Sequence, residues 1–374
     1  MTSVTGSGLR CHQTASMGPT TSSPTGRCVL VAVALTVLCV AMAACADGGG
    51  RTDALPATPS TPDPRPTTTV VSPDQVPAVP SPGCGSSTAV PGETKVTTTS
   101  DGAERWYYLH VPPQHDGATP LPLVLDLHGY GEGAQVHLAM SGLGAFGDEQ
   151  GFVTVTPEGQ GSVALWDIAL DSVDLDFVGN LLDEVERTAC IDLARVDVTG
   201  LSNGAFLTSA IACRWSDRIA AVAPVAGLQA IEGCDPSRPV PVIAFHGTAD
   251  LYVSYDGGLG PAVATLPAPE GTGTIPMPDT SGPSIPEMTA TWAVRNGCDA
   301  TPSETAVAAD VSLLAFDCPP GADVEMYRVA NGGHSWPGSD FSSKVASVIG
   351  STTMSISANE LMWDFFEAHP LPAG

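Results

Sequence analysis

Residues 198–206 read VTGLSNGAF, and the reading of Ser202 at their centre decides the fold. The bare Gly-x-Ser-x-Gly pattern says little, because a chain with 40 Gly among 374 residues meets it by chance roughly 0.3–0.4 times. Its setting says more. RVDVTG (195–200) has the character of a strand and NGAFLTSAIACRW (203–215) that of a helix. Ser202 therefore falls in the sharp turn between them, where a hydroxyl is pushed out at the C-terminal edge of a sheet. Gly200 and Gly204 leave room for such a turn, and the helix N-terminus favours a developing negative charge.

Working outward, strand-like runs recur at 106–111, 121–129, 152–157, 195–200, 219–227, 239–247 and 324–330. Several are continuously apolar, as in PVPVIAFHG, which is how strands covered on both faces read. Helical patterns lie between or after them, at 177–190, 203–215, 287–297 and 358–369. Strands alternating with helices predict an α/β fold with a mostly parallel, twisted sheet flanked by helices. The Gly- and Pro-rich stretch 256–286 reads as a long excursion, either a wall of the site or a surface loop.

A serine hydroxyl needs a base, and the base needs an orienting acid. PVPVIAFHGTAD delivers Asp250 after one strand, and VEMYRVANGGHSWPG delivers His334 after another. The order Ser202, Asp250, His334 suits a nucleophile carried on a strand-to-helix turn. Asp256 is the rival acid. Among the other histidines, His12 is in the leader, His110 is inside a strand, and His369 is near the C-terminus. His115 and His137 lack a strand-end setting after Ser202, and His246 reads as a support for the Asp250 loop. An oxyanion site would use the amide of Asn203 and a second amide from LVLDLHGYGEG, for which Tyr130 is the candidate. Trp166 and Trp336 are candidate flat apolar faces for substrate, with core packing as the alternative.

The N-terminus carries an apolar run, CVLVAVALTVLCVAMAAC (28–45), behind Arg27. Its length and small-residue exit read as a signal peptide over 1–44, with Met17 a possible start. Met42-Ala43-Ala44 before Cys45 resembles a bacterial lipobox, which makes Cys45 the expected lipidation site. Residues 45–83 are rich in Pro, Thr and Ser and predict an extended tether, so the folded domain is expected over 84–374. Export makes the six remaining cysteines a disulfide framework. Topology suggests Cys190–Cys213, because the strand rising to Ser202 and the helix descending from it return to one end of the sheet. Cys298–Cys318 closes a local loop, which leaves Cys84–Cys234. There is no CxxC or His/Cys cluster to suggest a metal. The balance of 40 Asp+Glu against 14 Lys+Arg, net −26, argues against nucleic acid as a partner.

Taken together, LDLHGYGEGA, GFVTVTPEG, CIDLARVDVTGLSNGAF, RPVPVIAFHGTADLYVSYDGG, WAVRNGC and GGHSWPG resemble the polyhydroxybutyrate-depolymerase-like esterases. These include the LpqC lipoproteins and the related feruloyl and acetylxylan esterases. The resemblance runs from about Cys84 to the C-terminus. It implies an α/β-hydrolase fold with no metal or organic cofactor, and ester hydrolysis through Ser202, Asp250 and His334. Ala205 stands where a second Gly is common, and the insertion after Asp256 is longer than usual.

The expected function is a secreted, cell-surface serine esterase whose membrane attachment is a lipid anchor alone. With no separate cap domain apparent, a shallow open site is expected. Short-chain or aromatic acyl esters on polysaccharide suit it best. The alternatives are a polyhydroxyalkanoate depolymerase, a serine peptidase on the same scaffold, and a non-catalytic wall-binding lipoprotein.

Overall fold

The computed structural model describes residues 76–277 and 280–372. The signal segment 1–44, Cys45 and the tether up to residue 75 lie outside the described residues. The strands are β1 Gly92–Ser100, β2 Ala103–Val111, β3 Leu121–Leu127, β4 Val153–Pro157, β5 Ile191–Leu201, β6 Val222–Val225, β7 Val242–Gly247, β8 Ser303–Ala308, β9 Val311–Ala315 and β10 Val324–Val329. The helices are α1 Ala134–Ser141, α2 Leu143–Gln150, α3 Val173–Thr188, α4 Asn203–Arg214, α5 Ile285–Arg295, α6 Asp340–Lys344, α7 Ala346–Ile349 and α8 Ala358–Ala368.

Among the described residues these strands form one sheet in the order β1-β2-β4-β3-β5-β6-β7-β10-β9-β8. The run from β4 to β10 is parallel throughout. An antiparallel hairpin closes each end, β1–β2 against β4 and β8–β9 against β10. This is the α/β-hydrolase arrangement. The edge strands β1, β8 and β9 escape the sequence reading. β1 and β8 are mostly exposed and carry no apolar run.

The central strands read as continuously apolar because both faces are covered. On β3, Leu123, Leu125 and Leu127 pack with Leu181 of α3, Ile211 of α4 and Trp292 of α5. Val124, one residue out of phase, joins Met140 of α1, Leu143 of α2 and Phe366 of α8 on the other face. Each fully buried leucine contributes about 1.5–3 kcal/mol relative to exposure. Because the parallel strands point one way, the loops after β3, β5, β7 and β10 gather at one edge.

The cysteines correct two expectations. The bridges are Cys84–Cys190, Cys213–Cys234 and Cys298–Cys318, not Cys190–Cys213 and Cys84–Cys234. Reaching the same end of the sheet does not make two positions lateral neighbours. Cys190 is flanked instead by the chain entering the domain. Ser81 N–H donates to Ile191 O and Gly83 N–H to Glu186 O, and a Cβ on Gly83 would lie 2.1 Å from Ala189 O. The folded part also begins before residue 84. Arg195 donates to Val76 O, and Val79 N–H to the Asp192 carboxylate.

Candidate active site

Ser202 sits between β5 and α4 with φ 58° and ψ −117°, a conformation that costs a non-glycine residue about 1–3 kcal/mol. Its flanks show why the turn needs glycine. A Cβ on Gly204 would lie 2.2 Å from Leu127 O, and one on Gly200 2.7 Å from the Gly204 carbonyl carbon. The turn is tied down by Ser202 N–H to Val225 O and Phe206 N–H to Ser202 O.

Asp250 follows β7 and His334 follows β10, and the two meet. His334 Nδ1 is 2.7 Å from Asp250 Oδ2. The other carboxylate oxygen accepts the N–H groups of Tyr252 and Val253. Burial works against the Asp250 charge, but His334, His246 and the Tyr252 N–H outweigh it and hold the carboxyl below its usual range. The close packing of Gly247 on Gly332, where a Cβ would meet Gly332 O at 2.3 Å, brings the two loops together. Tyr252 lies over the His334 ring at 5.0 Å. His246 supports this loop, its Nε2 donating to Val253 O at 3.0 Å. Asp256 is exposed on the excursion.

The loop after β3 runs beside Ser202, since a Cβ on Gly129 would lie 3.4 Å from the Ser202 Cβ. Tyr130 and Asn203 both line the cavity next to Ser202. Gly129 N–H is already committed to Glu132 Oε2 at 2.7 Å. His128 accepts from Gly159 N–H through Nε2 and pairs with Gly129 O through Nδ1. Burial pushes its imidazole down to about 4, so the ring is neutral with Nδ1 as donor. Beneath the loop, the buried His137 bridges Asp126 at 2.7 Å and Glu132 at 3.1 Å. The sequence reading set His137 aside as a general base and weighed neither Asp126 nor Glu132. A clue lay in HGYGEGAQVH, which places an acid and a histidine five residues apart after the glycines.

Ser202, His334, Tyr130, Asn203 and Glu132 border a cavity of about 380 Å³ with an apolar wall. The excursion supplies Leu259, Val263, Leu266 and Ile275 to that wall, beside Met140 and Phe206. It is pinned by Tyr130 Oη to Pro267 O and Ser162 Oγ to Pro269 O. The excursion thus supplies an apolar wall to a cavity that stays open to solvent on its other side. The two tryptophans depart from expectation, because both are core residues. Trp166 is 2% exposed, its indole N–H donating to His128 O. Trp336 is 1% exposed and donates to Asn359. A tryptophan near a catalytic motif fills volume as readily as it faces solvent, and the local pattern does not separate the two.

No family model matches the chain. It is 32% identical over 283 residues to the protein named "Putative esterase NocK" from Nocardia uniformis subsp. tsuyamanensis, covering 71% of this chain and 79% of that protein. The chain belongs to that esterase family. The esterase is also 30% identical over 174 residues to feruloyl esterase B of Piromyces equi, where the match spans 44% of this chain but 29% of the fungal protein. Feruloyl esterase D of Neurospora crassa matches at 30% over 185 residues, 46% of this chain and 62% of that one. Among solved structures, an acetyl xylan esterase from Aspergillus awamori aligns with a TM-score of 0.49 at 15% identity, over 69% of this chain and 99% of that one. The three disulfides of the esterase fit an oxidising, extracellular setting. No helix among its described residues is long and apolar enough to cross a membrane.

Proposed function

We propose that the esterase is a serine carboxylic-ester hydrolase. The observation that carries this reading is a strained Ser202 sharing one apolar cavity with a His334 whose far nitrogen is held by a buried Asp250. Ser202 Oγ attacks the ester carbonyl while His334 Nε2 takes its proton, and Asp250 stabilises the resulting imidazolium. The Tyr130 and Asn203 amides receive the oxyanion. The proton passes from His334 to the departing alkoxide, leaving an acyl-enzyme. Water, deprotonated by the same imidazole, then releases the acid.

The acyl group lies in the cavity and the alcohol faces solvent. An apolar wall of this size suits an aromatic acid such as ferulate better than acetate, which leaves most of the space unfilled. Relatives named feruloyl esterase support that choice, and a polysaccharide-linked alcohol follows from the same names. The ordered motifs support placement with the polyhydroxybutyrate-depolymerase-like, LpqC-type branch. Cys45 is read as the lipid-modified residue that holds the domain at the outer face of the membrane. Labelling with a fatty-acid probe should be lost in Cys45→Ser, and label retained there would remove the anchor.

The decisive test is turnover of p-nitrophenyl acetate and methyl ferulate beside a peptide substrate. Ser202→Ala should lose roughly 10⁴–10⁶-fold in kcat while staying folded. Wild-type rates in that folded variant would sink the mechanism. Preference for dodecanoyl esters with no turnover of methyl ferulate would defeat the acyl assignment and leave the triad standing.

A further inference from the structure

Four groups connect the interior of the sheet to the loop beside Ser202. Ser141 Oγ donates to Asp126 Oδ2 at 2.6 Å, and Asp126 Oδ1 meets His137 Nε2 at 2.7 Å. His137 Nδ1 reaches Glu132 Oε2 at 3.1 Å, and that same oxygen accepts Gly129 N–H at 2.7 Å. His137 and Asp126 are buried, at 0% and 1% exposure. An imidazole with a carboxylate on each nitrogen satisfies both only as the imidazolium, with both N–H groups donating. Glu132 Oε1 is buried with no hydrogen-bond partner in the protein, so the carboxylate's bonding converges on Oε2. A buried charged chain of this kind is costly unless it is fully paired. Packing α1 on β3 calls only for apolar side chains. What this chain adds is a fixed position for Gly129, and with it the peptide that follows.

We propose that Glu132, clamped by the Asp126–His137 pair, is a positioning residue for the oxyanion loop. It holds Gly129 N–H out of the cavity and so aims the Tyr130 amide at the oxygen that becomes negative in the transition state. The inference rests on the serine-esterase reading of Ser202. The two are separable, because the direct role of Ser202 is tested on that residue alone. Positioning and field act in opposite directions here. Neutralising Glu132 removes a negative charge from beside a developing oxyanion, which by field alone would speed the reaction. Losing the aim of a donor slows it.

The experiment compares Glu132→Leu, which keeps the bulk but removes the one oxygen that Gly129 N–H and His137 N–H share, with the wild-type full chain. Three quantities are read: kcat, KM for a p-nitrophenyl ester, and the affinity of a boronic acid that forms a tetrahedral adduct on serine. Positioning predicts that kcat and boronate affinity fall together by about 10- to 100-fold, less than the loss of a donor outright. KM and the affinity of the free product acid should stay within about threefold, since acyl-cavity contacts are untouched. An unchanged or raised kcat overturns the proposal. So does a parallel loss in KM and product-acid binding, which would mark general loosening of the site. Should Glu132→Leu fail to fold, Ser141→Ala loosens Asp126 from the far end and must give the same paired losses, about two- to fivefold. Unchanged kcat in that variant also overturns the proposal. A Ser202→Ala protein with full activity would instead overturn the underlying mechanism.

Discussion

The turn at Ser202 and the loop at Gly129 do similar jobs at neighbouring strands by different means. Both are glycine-rich passages from a parallel strand to a helix, and their backbones touch. The Ser202 turn is held by main-chain crowding, with Gly200 and Gly204 fitted against each other and against Leu127. The Gly129 loop is held by side chains: Glu132 below it, His128 within it, and the Tyr130 hydroxyl reaching Pro267 in the excursion. A turn made by backbone fit is written in a few adjacent residues. A loop made by side-chain clamps depends on partners as far away as 137 residues.

The largest effect should come from attacking the backbone fit. Gly204→Ala would place a Cβ 2.2 Å from Leu127 O, an overlap the packed strand cannot relieve cheaply. Urea unfolding should show a loss of about 3 kcal/mol or more. Ester turnover should fall at least about 100-fold as the elbow shifts. A loss under about 1 kcal/mol would mean that the two loops are held alike.

The clamped loop should instead reveal itself through pH. Burial opposes charge on His137, but Asp126 and Glu132 outweigh it and raise its imidazole to about 10. The neutral His128 is the other titratable group facing it. A group with a raised folded pKa stabilises fully below its unfolded value, near 6.5, and loses that contribution as pH climbs towards 10. Unfolding free energy measured across that window should therefore decline. In His137→Gln the His137 part of the decline should vanish. An identical slope in the variant would remove the imidazolium from the account.

The smallest effect separates strain from chemistry at Ser202. Ser202→Gly and Ser202→Ala should be equally inactive, but the glycine relieves the positive φ. Thermal unfolding should favour the glycine variant by about 0.5–1 kcal/mol. Equal stabilities would show that the turn stores no strain.

This contrast also explains what could be read in advance. The central strands, the elbow and the positions of Asp250 and His334 each rest on local pattern, so they were legible. The Cys298–Cys318 bridge, with a sequence separation of 20, was legible for the same reason. The edge strands were not, because β1 and β8 bury too little to leave an apolar signature. The partners of Cys84 and Cys213 were not, because strand topology orders the ends of elements without ordering their neighbours. The Asp126–His137–Glu132 chain was missed because a histidine before the nucleophile was weighed only as a general base. The inward faces of Trp166 and Trp336 depended on contacts with His128 and Asn359 that no spacing announces.

The way the chain enters the domain has a mechanical consequence. A pull arriving from the N-terminal side of Val76 first meets the hydrogen bonds of Val76, Val79 and Ser81 to the base of β5. It then meets the covalent bond from Cys84 to Cys190. The load path therefore ends at the middle of the sheet, while β1, the outermost strand and the easiest to unzip, lies beyond Cys84 in the chain and carries no tension.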